Sequence, residues 1–511
     1  MKIKNKLKSG NNSLLAIAFI SGFSIMAIEI AASRLLAPHF GTSIFVWTNI
    51  IGVVMVSLSL GYYFGGKLSD KNPSKAILLK ILFLAGFLLL IIPVIVSPLA
   101  SNVNARIVTM SSSTVVIFYA SLLVTIILFA VPLFLLGMAN PFIVKLYLLE
   151  KSDNVGESVG LITAISTVGS ILGTFLPTLY FIPTIGTKAT IYFFSSCLII
   201  VGCLGFKKMK YRFIALAIAI SMGIFYAEID EDKRSNIIFQ KDSAYQYFNV
   251  KQDLFGTNYL SINSGMGFQS IYNKERILTG AYYDYFSVLP YLIEKAEPKN
   301  VLIIGLCGGT IANQLNHFFS KEVKIDGVEI DAEIIDVAKK YFAVDPTVTT
   351  IFNSDGRMFL RSSFKKYDLI IIDAYAQEFY VPWTMTTEEF WRLAKEHLTA
   401  QGMVAINLNS TAPDSPLLAA ISNTMASVFN FTSVTYIDNN GINYVLTASE
   451  KPVDFDNLVQ ATKDDQLKAI ASAYKNSTRK VVFSEDSVLL TDDMAPVEFM
   501  TEGMILNYLK K

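Results

Sequence analysis

The sequence is poor in cysteine and histidine. It contains three residues of each kind in 511. The cysteines, Cys197, Cys203 and Cys307, are too few and too irregularly spaced for a disulfide framework or a zinc site. The histidines are scattered along the chain. We therefore predict no metal site and no prosthetic group.

Neither sign of charge is in excess. The chain has 43 basic and 42 acidic residues, which gives a formal net charge of +1. A protein that binds nucleic acid carries a clear surplus of lysine and arginine, usually gathered on one face. This balance predicts no nucleic-acid partner.

Apolar sequence, in contrast, is abundant. Hydrophobic residues make up 52% of the chain and the mean hydropathy is +0.45, too high for a wholly soluble protein. A membrane span needs about 20 mainly apolar residues. Mainly apolar runs of about this length lie at 13–36, 43–66, 76–99, 114–137, 158–182, 189–206 and 212–227. We predict a multi-span α-helical membrane domain over residues 1–227, with six spans, or seven if the short last run also crosses.

The basic residues predict the orientation of these spans. With a cytoplasmic amino terminus, the cytoplasmic segments hold Lys2, Lys4, Lys6, Lys8, Lys67, Lys71, Lys75, Lys145, Lys151, Lys207, Lys208, Lys210 and Arg212. The opposite loops hold only Arg34, Arg106 and Lys188. This bias predicts a multi-pass protein of the cell membrane. Seven spans would place the remaining residues outside the cytoplasm, and six would place them inside it.

Some residues within the runs are unusual for a bilayer. Glu29 and Arg34 could form an ion pair, reach the interface, or line a substrate or proton path, since an unpaired charge in lipid is costly. Gly169 and Gly173 predict close packing between helices. The loop Gly61–Lys75, GYYFGGKLSDKNPSK, resembles the loop between the second and third spans of major facilitator transporters.

From Ser243 the pattern changes to short alternating segments. YQYFNVKQD, NYLSINS and GFQSIYN are separated by turn residues and predict a small β-hairpin or meander. A helix containing Tyr282, Tyr283 and Asp284 follows them. We assign residues 228–295 to this β-rich subdomain and its helix, and residues 296–511 to an α/β domain.

The α/β domain begins with four predicted strands that end in glycine or a carboxylate. The strand ends carry, in chain order, Gly305, Gly308 and Gly309, then Glu329, Asp355 and Asp373. The carboxyl ends of parallel strands meet at one crevice of a doubly wound sheet, where nucleosides bind. The glycines allow the backbone to approach a ligand, and Glu329 can accept hydrogen bonds from both ribose hydroxyls. The series predicts a Rossmann-like domain with a nucleoside site.

The glycine spacing identifies the kind of nucleoside. The run Gly305, Leu306, Cys307, Gly308, Gly309 does not match the G-x-G-x-x-G pattern of dinucleotide sites. An adenosyl sulfonium donor is therefore favoured over a nicotinamide cofactor. Asp355 suits this donor, because its carboxylate could accept a hydrogen bond from the adenine amino group.

Several segments then resemble one family. DSAYQYFNV, YYDYFSVLP, IGLCGGTIANQL, DGVEID, NSDGR and YDLIIIDAY occur in the order found in spermidine synthases, the polyamine aminopropyltransferases. The resemblance covers roughly residues 243–409, and the preceding spans resemble membrane-fused members of that family. It implies a class I methyltransferase-type sheet that transfers an aminopropyl group from decarboxylated S-adenosylmethionine to a diamine such as putrescine. Family members are often oligomers, so a homo-oligomer is an expectation here.

The resemblance also implies roles for individual residues. Donor binding falls to Gln246, Gly305, Cys307, Gly308, Gly309, Glu329, Asp355 and Gly356. Asp373 matches the catalytic aspartate, which positions the attacking amine and takes its proton. Tyr282 matches the tyrosine of the family's substrate helix. We add Tyr283, Asp284, Glu378 and Tyr380 as further candidates for acceptor binding. Because adenosylated donors are supplied in the cytoplasm, we expect the run 212–227 to lie on the bilayer or dip into it, with the α/β domain cytoplasmic.

Two positions depart from the family pattern. The family has an aspartate where this chain has Cys307, and a second aspartate where it has Ala376, with Glu378 as the nearest acidic replacement. Loss of these acids leaves open a methyltransferase or lyase that uses S-adenosylmethionine itself, with Cys307 filling a tight turn or acting as a nucleophile. A transporter or sensor that binds a polyamine or nucleoside without turnover is the alternative that is not an enzyme.

The segment Ala376–Trp391 is aromatic and follows the fourth strand. Tyr380, Pro382 and Trp383 could enclose the acceptor as a lid, or they could pack on a neighbouring helix.

Overall fold

The structure is a computed structural model, and it describes residues 2–40, 44–108, 115–150, 154–206, 236–263, 267–294, 299–375, 380–437 and 442–509. The chain forms two compact units. Most of residues 1–247 belong to the first unit, and most of residues 248–511 to the second. The predicted boundary after residue 227 and the predicted run 212–227 both lie outside the described residues and stay predictions.

The first unit is helical. Its helices are α1 (Lys2–Phe40), α2 (Ile44–Lys71), α3 (Lys75–Val108), α4 (Val115–Thr125), α5 (Val131–Glu150), α6 (Val155–Leu176), α7 (Ile182–Ile185) and α8 (Thr187–Cys203). Single π-helical turns, Ile126–Ala130 and Pro177–Phe181, join α4 to α5 and α6 to α7. Within the described residues, five helical segments are long and apolar enough to cross a membrane. The sixth predicted run corresponds to the shorter apolar helix α8.

Glycines allow two pairs of these helices to pack with almost no space between their backbones. A Cβ added at Gly169 or Gly173 of α6 would lie 2.3 or 2.2 Å from a carbonyl oxygen of α1. On α2, a Cβ at Gly61 would lie 2.4 Å from the carbonyl oxygen of Phe134 on α5, and Gly65 is equally enclosed. Each pair therefore uses two glycines spaced four residues apart, which is a common device for helix association in lipid. The packing role predicted for Gly169 and Gly173 is confirmed.

The packing of the helices is symmetric. The apolar helices form two sets of three, α1, α2 and α3, followed by α4–α5, α6–α7 and α8. The main packing pairs are α1 with α6, α2 with α5, and α3 with α8. Exchanging the two sets leaves these pairs unchanged. Because three crossings end on the opposite side of a membrane, the second set would be inverted relative to the first, as in transporter folds built from inverted repeats.

A small sheet begins the region that follows the apolar helices. Its strands, in spatial order, are β1 (Ile237–Asp242), β2 (Tyr247–Gln252), β3 (Asn258–Ile262) and β4 (Ser270–Tyr272). β3 pairs with β2 and β4 in antiparallel register. The predicted β-meander is confirmed.

The second unit is built on an eight-stranded sheet. Its other strands are β5 (Lys299–Ile304), β6 (Val323–Glu329), β7 (Thr349–Asn353), β8 (Tyr367–Ile372), β9 (Leu398–Asn409), β10 (Phe431–Tyr436), β11 (Asn443–Ser449) and β12 (Thr478–Val481). The spatial order is β12-β10-β11-β9-β8-β5-β6-β7. From β7 to β9 the pairs are parallel, and from β9 to β12 they are antiparallel. Chain order reverses at β5, which lies between β6 and β8.

Helices connect or flank these strands. They are α9 (Tyr283–Phe286), α10 (Thr310–Phe319), α11 (Ala332–Tyr341), α12 (Gly356–Ser362), α13 (Glu388–Glu396), α14 (Pro416–Val428), α15 (Leu458–Ala461), α16 (Asp465–Ser477) and α17 (Val497–Leu509). The long helix predicted from Tyr282 is only a single α-helical turn followed by a 3₁₀ turn, Leu289–Leu292. The predicted doubly wound α/β domain is confirmed.

Alternation along the central strands divides the core into two layers. In β5, Leu302 and Ile304 pack into one buried cluster, whereas Val301 and Ile303 pack into the cluster on the opposite face. Because both faces are covered, the central strands are continuous apolar runs. This explains why the strands with the strongest sequence signal are β5 and β8.

Replacing Gly309 by alanine tests the packing of the turn after β5. Gly309 has φ +79°, and an added Cβ would lie 2.2 Å from Cγ2 of Val344. The left-handed backbone costs a non-glycine residue about 1–2 kcal/mol and overpacking about 1–3 kcal/mol. We expect Gly309→Ala to lower the melting temperature of the purified protein clearly, at about 2–4 °C per kcal/mol.

Gly503→Ala is the matched control. Gly503 lies within α17, and an added Cβ would meet nothing within 4 Å. Alanine is favoured over glycine inside a helix, so this variant should melt at the wild-type temperature or slightly above it. Equal melting temperatures for the two variants would contradict the close contact at Gly309.

Candidate active site

The turn after β5 lies directly against the end of β8. Gly305 has φ +85°, and an added Cβ would lie 2.5 Å from the carbonyl oxygen of Asp373. The backbone N–H of Asp373 donates to the carbonyl of Ile304, 2.9 Å away. Only glycine fits this contact. The close approach brings the glycine turn and Asp373 to one edge of the sheet.

Glu329 ends β6 on the other side of the same turn. One carboxylate oxygen accepts the backbone N–H of Cys307 at 2.9 Å, and the other accepts that of Asp331 at 3.0 Å. Burial raises the pKa of Glu329, and these two hydrogen bonds act in the opposite direction. Each carboxylate oxygen can accept more than one hydrogen bond. Glu329 is thus fixed in place and could still accept hydroxyl donors of a ligand.

Asp355 follows β7 and begins helix α12. Its Oδ1 accepts the backbone N–H of Met358 at 2.8 Å, which makes it the N-cap of that helix. Among the described residues, Oδ2 has no hydrogen-bond partner. Gly356 is buried beside it, and an added Cβ there would lie 2.2 Å from Ile304. One oxygen of Asp355 therefore caps the helix, and the other could accept a hydrogen bond from the adenine amino group.

Asp373 receives hydrogen bonds from two side chains. The hydroxyl of Tyr282 donates to Oδ2 at 2.9 Å, and the amide of Asn407 donates to Oδ1 at 2.9 Å. Burial raises the pKa of Asp373 to about 6, against the lowering effect of these two hydrogen bonds. A carboxylate with a pKa near the operating pH suits a general base. The predicted pair Asp373 and Tyr282 is brought together by the fold.

Two further asparagines hold Asn407, the amide donor to Asp373, in place. The side-chain oxygen of Asn407 accepts from the amide of Asn443 at 3.1 Å, and Asn443 also donates to Asn409 at 2.7 Å. An amide whose oxygen already accepts a hydrogen bond cannot exchange its oxygen and nitrogen without breaking that bond. Asn407 must therefore present its N–H to Asp373.

Comparison with known proteins identifies the family to which the chain belongs. Residues 281–457 match the spermine/spermidine synthase domain family. A polyamine aminopropyltransferase of Vibrio vulnificus is 30% identical over 298 residues, which cover 52% of this chain and 92% of that protein. The chain belongs to the polyamine aminopropyltransferase family. A probable polyamine aminopropyl transferase of Bifidobacterium longum is 34% identical over 285 residues, and the match spans 52% of this chain and 62% of the Bifidobacterium protein.

The fold is also similar to that of a solved structure. A crystal structure of a probable spermidine synthase from Corynebacterium glutamicum is similar, with a TM-score of 0.41 and 17% identity. The match covers 50% of this chain and 96% of that one.

Cys307 occupies the turn where the aminopropyltransferase pattern has an acid. Its φ is +50°, and its backbone N–H is committed to Glu329. Burial and the nearby Glu329 carboxylate both raise the pKa of the thiol. A protonated buried thiol is a poor nucleophile. The geometry favours Cys307 as a residue that fills the turn over Cys307 as a nucleophile.

The other residues predicted to bind the acceptor have mixed positions. The hydroxyl of Tyr283 donates to the carbonyl of Phe268 at 2.6 Å, and its ring lies 4.0 Å from that of Tyr282. Asp284 accepts hydrogen bonds from Thr279, Gly280 and Gln314. These contacts anchor the turn that presents Tyr282. A direct contact of Tyr283 or Asp284 with the acceptor stays a prediction.

For three further predicted residues, the described contacts give no link to Asp373, or the residue itself is not described. Gln246 belongs to the segment 241–247 of the first unit, where its backbone exchanges hydrogen bonds with Ser243. Glu378 lies outside the described residues, as does Ala376. Tyr380 is partly buried, and its hydroxyl donates to Glu502 of α17 at 3.4 Å. This contact favours helix packing over a lid for Tyr380, whereas Trp383 is 40% exposed.

Sequence reasoning missed Asn407, Asn443 and the partner of Arg357. Arg357, from the NSDGR segment, forms a two-pronged ion pair with Asp492 at 2.6 and 2.7 Å, which lowers the pKa of that aspartate. The available signal for Asn407 was its place in AINLNS, where polar residues interrupt an apolar strand. No comparable signal marks Asn443 or Asp492, because their partners lie 36 and 135 residues away.

Replacing Asn407 by alanine tests its effect on Asp373. A hydrogen bond to a charged group contributes about 1.5–3 kcal/mol, and one pKa unit corresponds to about 1.36 kcal/mol. Because Tyr282 remains, we expect the pKa of Asp373 to rise by roughly one unit. A base works only when deprotonated, so the loss of activity on the acidic side should move to higher pH. The measurement is the pH dependence of methylthioadenosine release, the reaction expected of the family.

Asn430→Ala is the control for this experiment. Asn430 is exposed and bonds only to Glu450 in the described region, at 3.3 Å. The activity of Asn430→Ala should be lost on the acidic side at the same pH as that of the wild-type protein. If Asn407→Ala also loses activity at the same acidic pH as the wild-type protein, the amide of Asn407 does not influence the pKa of Asp373.

Proposed function

We propose that this protein transfers an aminopropyl group from decarboxylated S-adenosylmethionine to a diamine such as putrescine, and releases spermidine and methylthioadenosine. Its family membership supports the reaction class. The observation that carries the proposal is the position of Asp373, at the crevice beside Gly305, with hydrogen bonds from Tyr282 and Asn407.

The donor would lie across the ends of β5, β6 and β7. Glu329 would accept the ribose hydroxyls, and Oδ2 of Asp355 would accept the adenine amino group. The turn from Gly305 to Gly309 would let the backbone approach the sulfonium. Gln246 would contact the donor as well, as the family pattern implies.

The chemical step is a displacement at carbon. The amine nitrogen forms a bond to the methylene carbon next to the sulfonium, and the carbon–sulfur bond breaks. Its electron pair goes to sulfur, which leaves as the neutral thioether of methylthioadenosine. The acceptor nitrogen gives up one proton in total, and Asp373 accepts it. Holding the two reactants in line supplies a large part of the rate enhancement.

Burial brings the proton affinities of the two partners closer together. It raises the pKa of Asp373 to about 6, and it would lower the pKa of an ammonium bound in the same place, because it disfavours every charged form. Proton transfer from the amine to Asp373 is therefore less unfavourable than it would be in water.

Replacing Asp373 by asparagine tests its role as the base. General-base catalysis typically contributes a factor of about 10²–10⁴. With decarboxylated donor and putrescine, we expect Asp373→Asn to lose at least about a hundredfold in kcat while it still binds methylthioadenosine. Asp336→Asn is the control, because Asp336 is exposed on α11 and its one ion pair within the described residues is with Lys339, at 3.8 Å. A fully active Asp373→Asn variant would exclude the proposed role.

The same assay separates the alternative functions. Methylthioadenosine that forms only when both the decarboxylated donor and the diamine are present supports aminopropyl transfer. Product formed from S-adenosylmethionine alone would support a lyase, and a methylated acceptor would support a methyltransferase. Both alternatives follow from Cys307 and Ala376, where the family has acids. Nucleoside or polyamine binding without any turnover would support the transporter or sensor.

We also propose that the first unit anchors the protein in the cell membrane and, because adenosylated donors are supplied in the cytoplasm, that the second unit is cytoplasmic. One contact favours the other side: the backbone N–H of Thr187, next to Lys188, donates to Asp242 of β1 at 3.1 Å.

Labelling of introduced cysteines decides between the two sides. Phe364 is 98% exposed in the second unit, and Lys188 lies in the first turn of α8, at the end of that helix predicted to be outside. With Cys197, Cys203 and Cys307 replaced by serine, Phe364→Cys should react with a membrane-impermeant maleimide only after the cells are opened. Lys188→Cys should react in intact cells. Labelling of Phe364→Cys in intact cells would contradict the proposed side.

A further inference from the structure

The first unit contains a cavity at one end of its helices. Its volume is about 530 Å³, within the range of about 300–1,000 Å³ that is usual for ligand sites. It lies between the start of α1, the start of α3 and the end of α8. The lining residues are Ser13, Ala16, Ile17, Ile20, Lys75, Ala76, Leu79, Val201, Leu204, Gly205 and Phe206.

Lys75 is the only charged residue in this lining, and no acid accompanies it. Its Nζ donates to the hydroxyl of Ser13 at 2.5 Å, so the ammonium group is held at the cavity. The segment Gly61–Lys75, predicted to be a loop, continues α2 as far as Lys71. Its only acid, Asp70, pairs instead with Lys145 at 2.8 Å. The cavity therefore combines apolar walls with one positive charge that no described carboxylate neutralises.

The polar and apolar parts lie at different depths. Ser13 and Lys75 meet at the ends of their apolar segments, on the side predicted to be cytoplasmic. From Ser13 to Ile20, α1 rises by about 10 Å at 1.5 Å per residue. Ile17, Ile20 and Leu79 thus extend the wall from the charged end towards the middle of the bilayer. A ligand that fits must have an anionic head and an apolar tail.

We propose that this cavity binds an anionic phospholipid, with its phosphate at Lys75 and one acyl chain along Ile17, Ile20 and Leu79. Basic pockets between membrane helices on the cytoplasmic side are suited to anionic headgroups. The neighbouring Lys67 and Lys71 would raise the local concentration of such lipids. The site is independent of the proposed transferase activity.

The test uses the full-length protein in nanodiscs that contain phosphatidylcholine with a small fraction of phosphatidylglycerol. After detergent extraction, native mass spectrometry counts the lipids that stay bound. We expect one retained phosphatidylglycerol per chain in the wild-type protein. One lysine near an anionic surface contributes about 1 kcal/mol, so Lys75→Gln should weaken retention by about fivefold. Lys75→Arg should preserve it.

Lys80→Gln is the matched control, since it removes the same charge from the same helix at a residue that does not line the cavity. It should retain the lipid as the wild-type protein does. Ala76→Leu narrows the cavity without a change of charge and should reduce retention of the acyl chain. Equal retention of phosphatidylcholine and phosphatidylglycerol, equal losses in Lys75→Gln and Lys80→Gln, or no retained lipid in the wild-type protein would each overturn the proposal.

Discussion

The second unit depends on one contact, the backbone approach of Gly305 to the end of β8. A side chain at Gly305 would push the glycine turn away from Asp373, because a Cβ there would lie 2.5 Å from a backbone oxygen. The turn is also bonded to β6, since the N–H groups of Gly305 and Leu306 both donate to the carbonyl of Val328. Three neighbouring strands are thereby joined at their carboxyl ends. Glu329 and Asp373 come to opposite sides of one turn as a consequence.

Burial of these carboxylates then requires hydrogen-bond donors. A buried charge without partners is costly, and the cost appears here as a raised pKa for both Glu329 and Asp373. Backbone N–H groups donate the hydrogen bonds that Glu329 needs, and any turn can supply such groups. Asp373 relies on side chains from two other elements, Tyr282 and Asn407. Its proton affinity is therefore adjustable by distant substitutions, whereas that of Glu329 is largely fixed by the fold.

This difference explains what the sequence could predict. The glycine turn, the apolar strands and their terminal acids are adjacent in the chain, and their periodicity indicates both the sheet and the donor crevice. Asn443 reaches the site only because β11 runs antiparallel beside β9, with Asn443 opposite Asn409. A pairing of that kind leaves no local pattern. The apolar helices of the first unit follow the same rule, since the glycine spacing of α6 indicates close packing but not that α1 is the partner.

The two missing acids change the balance of forces at the acceptor. Where the family pattern has carboxylates, the chain has Cys307 and Ala376, so less negative charge is available to attract an ammonium. Among the described residues, Asp373 is then not raised in pKa by a neighbouring carboxylate, and burial is the sole cause of the increase. A site with fewer acids holds a dication less firmly, but it also stabilises the protonated amine less. Since only the neutral amine can attack carbon, weaker stabilisation of the ammonium offsets part of the lost attraction. Recognition and proton removal are thus concentrated on the single carboxylate that the sheet, Tyr282 and the asparagines hold in place.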